Sequence, residues 1–206
     1  MPKLLIASNN PGKIREYYFL LKQSGFNIVS PKELGINKPT AETGHSYKDN
    51  ARIKAMAYAK PSQLITLADD SGLEVDALGG EPGIQSARFA GEAASDEDKV
   101  KFLLDRLSGV LWEKRTACFK CVIAIATPKG KLELCYGECH GIIAFNAQGK
   151  SGFGYDPIFY LPEMGKTMAE LPFEVKNRIS HRAQAAHKAE QILRQLHNQL
   201  IDCHHC

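Results

Sequence analysis

The sequence predicts an α/β protein built on a mixed sheet with flanking helices, and three observations carry that expectation. Short apolar runs alternate with helix-period segments through residue 70, two longer apolar runs in the middle adjoin a tight turn, and a helix-period segment closes the chain. Alternating strand and helix favours an α/β core, while two adjoining runs around a turn add an antiparallel hairpin.

Each element follows from its residues. Lys3-Leu4-Leu5-Ile6-Ala7 reads as a buried strand, and Ile14, Tyr17, Tyr18 and Leu21 follow helical spacing up to a stop at Gly25. "FNIVSP" reads as a second short strand. A polar loop then reaches "AETGHSYKDNARIKAMAYAK", whose alanine-rich second half is expected to be helical up to Pro61. "QLITLADDSG" reads as a buried strand ending in two acids and a turn. "ALGGEPGIQSARFAG" has no clear period and is expected as an ordered loop. Ser95 is the expected N-cap of the next helix, with Asp98 at its third position and Val100, Leu103, Leu104 and Leu107 on its apolar face. Strands are expected at 116–127 and 131–138, joined by Pro128-Lys129-Gly130. After the glycine-rich loop "GKSGFGYDPIFYLPE" comes a helix over 181–200, with Ala189, Ile192, Leu193, Leu196 and Leu200 facing inward.

Composition narrows the function classes. The 206 residues are 44% hydrophobic with a formal net charge of +3, which suits one good-sized globular domain or two lobes sharing a core and does not indicate a broad nucleic-acid-binding face. No apolar stretch approaches the about 18 residues of a membrane helix. Met1-Pro2-Lys3 leads into the first strand with no signal-peptide pattern, so the expected location is cytoplasmic. Of six cysteines, Cys118 and Cys121 are three apart on one strand and are expected on opposite faces, which argues against a shared zinc. Cys135, Cys139 and His140 lie on the next strand without a second ligand pair of zinc-finger spacing. The tail "DCHHC", with Cys203 and Cys206, reads as a frayed end.

Four stretches could carry chemistry. "SNNPGK" at 8–13 joins a strand to a helix: it is a turn by composition, yet a helix N-terminus with a lysine also suits an anion. Asp69 and Asp70 point to opposite faces of their strand, so one of them is a candidate Mg²⁺ ligand, with Glu42 in the polar loop as a second; an Asx turn is the alternative. "SGFGYDP" at 151–157 brackets aromatics with glycines, as either core or a platform for a flat ligand. "KNRISHR" at 176–182 puts Lys176, Arg178, His181 and Arg182 just before and at the start of the last helix, where cations oppose the helix dipole unless an anion lies between them; a solvated basic turn is the alternative.

Taken together, "SNNPGK" with Glu16, "ETGHSYKDNARIKA", "LADDSGLEVDALGGEPGIQSARFAG", "GFGYDPIF" and "KNRISHRAQA" resemble the inosine triphosphate pyrophosphatase family over about residues 3–197. The resemblance implies a single domain over 1–200, two-lobed around a central cleft and usually paired as a homodimer, with 201–206 as a tail. It further implies Mg²⁺-dependent hydrolysis of non-canonical purine nucleoside triphosphates to the monophosphate and pyrophosphate. Carried over by motif, Ser8, Asn9, Asn10, Pro11, Gly12 and Lys13 would hold the triphosphate, and Asp70 would be the metal-linked base. Glu42 would assist the metal, and Ser71 would contact substrate. Phe153, Gly154, Tyr155 and Asp156 would bind the base, with Lys176, His181 and Arg182 completing purine recognition. The competing expectations are a Maf-like pyrophosphatase, against which "SHR" and "GFGYDP" speak, and a nucleotide-binding module without turnover, against which the retained acids speak.

Overall fold

The computed structural model describes residues 1–36 and 40–202, with side chains through residue 201, so the expectation for the Cys203–Cys206 tail lies outside the described residues. In chain order the elements are β1 (Lys3–Ile6), α1 (Pro11–Leu20), β2 (Asn27–Val29), α2 (Tyr47–Ser62), β3 (Ile65–Val75) and α3 (Asp96–Arg106). They continue as β4 (Thr116–Ala126), β5 (Leu132–Ile143), β6 (Phe159–Leu161), β7 (Lys166–Thr167), α4 (Phe173–Ile179) and α5 (His181–Asp202). The strands hydrogen-bond in the order β2-β1-β3-β4-β5-β6-β7. β1 runs parallel to β2 and β3, whereas β6 runs antiparallel to β5 and β7, so the sheet is mixed as expected. No helix among the described residues is long and apolar enough to cross a membrane.

The described residues form two compact units. The first comprises Met1–Asp70, Cys121–Gly137 and the chain from Arg182 onward. Its strands alternate their side chains between two apolar clusters: Leu4, Ile6, Ile123 and Ile125 pack with Tyr17 and Leu21 and with Ala186 and Leu193, while Leu5, Ala7, Val122 and Ala124 pack with Ala51 and Ala55. Both faces are covered, which is why these strands read as continuous apolar runs. Alanines on α2 leave room for its backbone to approach the strands closely.

The second unit comprises Ser71–Lys120 and Glu138–His181, with Leu73, Val75, Leu103, Phe119, Ile143, Ile158 and Phe159 in its core. α3 begins with a complete capping box: the Ser95 hydroxyl accepts from Asp98 N–H at 3.1 Å, and the Asp98 carboxylate accepts from Ser95 N–H at 3.0 Å. Arg115 is buried, and its guanidinium donates to the carbonyls of Ile143, Ala144 and Leu107 at 2.7, 3.1 and 3.0 Å.

Several expectations are corrected. "DDSG" is not a turn: β3 runs on to Val75, because Leu73 and Val75 return to a core and Leu73 N–H is taken by the Ser86 hydroxyl at 2.8 Å. The basic run is not a free turn before the last helix, since Lys176 and Arg178 belong to a separate seven-residue helix, α4. β5 extends to Ile143, and β6 and β7 follow within and beyond the expected glycine-rich loop. Leu200 is exposed rather than inward, although Ala189, Leu193 and Leu196 are buried as expected.

Candidate active site

In the first unit, β1 hands over to α1 through "SNNPGK". Asn10 is the N-cap, its side-chain oxygen accepting from Lys13 N–H at 3.1 Å, and Pro11 takes the first helical position, where no N–H is needed. The Ser8 hydroxyl accepts from Asn10 N–H at 3.2 Å, which pins the loop while Asn9, Asn10 and Pro11 stay exposed. Lys13 turns its ammonium to Asp69 at 2.8 Å.

Asp69 is 2% exposed and sits among cations, with Arg182 Nε 3.6 Å away and Arg182 itself paired to Glu16 at 2.6 Å. Burial alone would raise the Asp69 pKa, but Lys13, Arg182 and Lys54 outweigh it and hold the carboxyl well below its usual range. Its neighbour Asp70 faces other partners. Asn50 donates to one Asp70 oxygen at 3.2 Å and Lys54 approaches the other at 3.3 Å, while Lys54 also reaches Glu42 at 2.7 Å. For Asp70 burial prevails over Lys54 and Lys13, and its pKa is raised. Two adjacent carboxyls are therefore driven in opposite directions, one fixed as a buried anion and one made more basic.

α2 builds half of this geometry. Asn50 and Lys54 are four residues apart and share a helix face, and the Asn50 side-chain oxygen accepts from Gly44 N–H at 2.8 Å, fixing the amide that reads Asp70.

In the second unit, the 151–156 loop is folded around the Asp156 carboxylate, which is buried and accepts from Phe153 N–H at 2.9 Å and from the Lys176 ammonium. That ammonium also lies 4.7 Å from the centre of the Phe153 ring. Gly152 must be glycine here: its φ is +79° and a Cβ would meet Asp156 Oδ2 at 2.0 Å. From α3, Asp96 accepts from Gly154 N–H at 2.6 Å. The buried Tyr155 hydroxyl donates to the Ser86 carbonyl at 3.0 Å, and burial raises its pKa. His181 is buried and stacks on Phe119, with ring centres 4.7 Å apart and planes 11° from parallel.

The family model of the Ham1 family matches residues 4–192. The chain belongs to the Ham1 family. It is 49% identical over 195 residues to a dITP/XTP pyrophosphatase of Desulforamulus reducens, covering 95% of this chain and 97% of that protein. It is 52% identical to one of Methylococcus capsulatus over 187 residues, covering 89% of this chain and 92% of that protein. The Ham1 protein of Coxiella burnetii has the same fold, with a TM-score of 0.85 at 38% identity over 95% of this chain and all of that one. The Staphylococcus aureus Ham1 protein has a TM-score of 0.82 at 42% identity, covering 93% and 97%.

Across this Ham1-family chain the expected residues fall into the two units. The first holds Ser8 to Lys13 and Glu42, and with them Asp70 and Arg182; the second holds Ser71, Phe153 to Asp156, Lys176 and His181. Two of the cations of "KNRISHR" have anions to answer them, and these are protein carboxylates: Asp156 for Lys176, and Glu16 with Asp69 for Arg182. Reading the sequence missed Asn50, Lys54 and Asp96. The first two carried a signal, an asparagine and a lysine at i, i+4 on an otherwise alanine-rich helix face. Asp96 carried none, because a first-turn acid is ordinary in any helix.

Proposed function

We propose that the protein hydrolyses inosine, deoxyinosine and xanthosine triphosphates between the α and β phosphates, releasing the monophosphate and pyrophosphate. The observation that carries this reading is the Asp70 carboxylate: raised in pKa, gripped by Asn50 and Lys54, and sharing the Lys54 ammonium with Glu42. The relatives named as dITP/XTP pyrophosphatases support the substrate class.

A triphosphate brings several negative charges, which the α1 N-terminus, Lys13 and the Ser8–Gly12 backbone would receive. Asp70 would orient the attacking water and take its proton, and a raised pKa makes it a better acceptor at neutral pH. Asp70 and Glu42 offer hard oxygen donors that already converge on one cation, Lys54, at 3.3 and 2.7 Å, so the donor set fits Mg²⁺. When bound, Mg²⁺ would supply neutralisation of phosphate charge. Ser71 would contact substrate. Phe153, Gly154, Tyr155 and Asp156 would hold the base, and Lys176, His181 and Arg182 would read it. A buried donor aimed at the 6-oxo group would oppose the amino group of adenine, and sites that demand one hydrogen bond discriminate by about 10⁴ or more. The enzyme would act as a cytoplasmic homodimer.

The test is pyrophosphate release from inosine, xanthosine, guanosine and adenosine triphosphates, with Mg²⁺ and with a chelator. Fast, metal-dependent turnover of the first two with poor use of the others is expected. Equal use of adenosine triphosphate would remove the specificity, and no turnover would remove the enzyme. Asp70→Asn should abolish turnover with an unchanged circular dichroism spectrum; an active variant would take Asp70 out of the mechanism.

A further inference from the structure

We propose that Cys118, Glu138 and His140 form a binding site for a transition-metal ion of the zinc class. β5 carries Glu138 and His140 two residues apart, hence on one face, and β4, the next strand in the sheet, adds Cys118. An i, i+2 pair with a third ligand from the adjoining strand is a simple way for a sheet to offer three donors to one ion. The thiol sulfur, a carboxylate oxygen and an imidazole nitrogen all lie within 4.8 Å of one another. His140 Nε2 and Glu138 Oε1 are 3.5 Å apart. That matches the separation of two ligands each about 2.0–2.1 Å from a tetrahedral ion, roughly 3.4 Å.

The donor chemistry selects the ion. Thiolate and imidazole favour Zn²⁺ and its neighbours over Mg²⁺ or Ca²⁺, whose ligands are oxygens. Glu138 and His140 are exposed, so a fourth position is open to water. Lys120, close by, is held by Glu74 at 2.6 Å, which answers its charge locally. Burial and the charge of Glu138 push the Cys118 thiol up to about 11. Binding therefore exchanges the thiol proton, released to solvent, for the metal on sulfur, and tightens as pH rises. These ligands lie in the second unit, whereas Asp70 and Glu42 belong to the first.

The test is a Co²⁺ titration of the full-length reduced protein carrying Cys203→Ser and Cys206→Ser, which removes the tail thiols from the signal. A sulfur-to-cobalt charge-transfer absorption saturating at one equivalent and displaced by Zn²⁺ is expected. Cys118→Ser should abolish it, and His140→Ala or Glu138→Gln should weaken Co²⁺ binding tenfold or more. The His140 side chain is 75% exposed, so its removal leaves packing intact. Absence of the band, its persistence in Cys118→Ser, or unchanged affinity in His140→Ala would overturn the site.

Discussion

Protonating Asp69 would take the carboxylate partner from Lys13 and leave Arg182 to Glu16 alone, around a carboxyl that is almost fully buried. Breaking a buried ion pair by removing one partner costs about 3–5 kcal/mol, so Asp69→Asn should lower the unfolding free energy by about that much in urea titration. The pH dependence follows the sign of the shift. The folded pKa of Asp69 lies below its ordinary value of 3.8, so its contribution is complete above about pH 4 and is lost as pH falls towards the folded value. Acid unfolding of Asp69→Asn should accordingly be flatter than that of the native chain. A period of two along β3 showed that Asp69 and Asp70 differ, but not which cations each meets, because that depends on Lys13, Lys54 and Arg182, brought in from other elements. At the same scale, Gly152→Ala should raise KM for inosine triphosphate about tenfold or more with less effect on kcat, since its Cβ would displace the carboxylate that shapes the loop.

The 151–156 loop is held from within by Asp156 and from outside by Asp96, so its conformation depends on α3 being in register. Ser95→Ala removes the cap of that helix, at a cost of about 1 kcal/mol. In a chain of this length that should lower Tm by roughly 2–4 °C. Asp96→Ala should raise KM while Asp96→Asn, which still accepts from Gly154 N–H, should restore it; steady-state kinetics on both variants checks this. The cap was legible because Ser95 and Asp98 act across one turn. α4 was not legible, being seven residues long and too short to show a period, and neither were β6 and β7, whose partners are set by pairing rather than by their own pattern. β3 was cut short for another reason: the residues of "DDSG" are turn formers when alone, and only the core contacts of Leu73 and Val75 keep the chain extended.

Neither unit is a continuous piece of chain. The first is assembled from three segments, and its core takes Leu4 and Ile6 from one, Ile123 and Ile125 from another and Leu193 from the last. A fragment of residues 1–70 should therefore be unfolded by circular dichroism despite containing α1, α2 and the catalytic candidate Asp70. The fold class was readable from alternation and from the hairpin turn, whereas the division into units was not, because β3, β4 and β5 each run from one into the other without a break in pattern. The pairing of Glu16 with Arg182 joins positions 166 residues apart. A ribosome adding about 5–20 residues per second needs roughly 10–30 s to cover that distance. Until Arg182 is made, then, a carboxylate destined for the interior waits without its partner, and α1 reaches its final setting only after that.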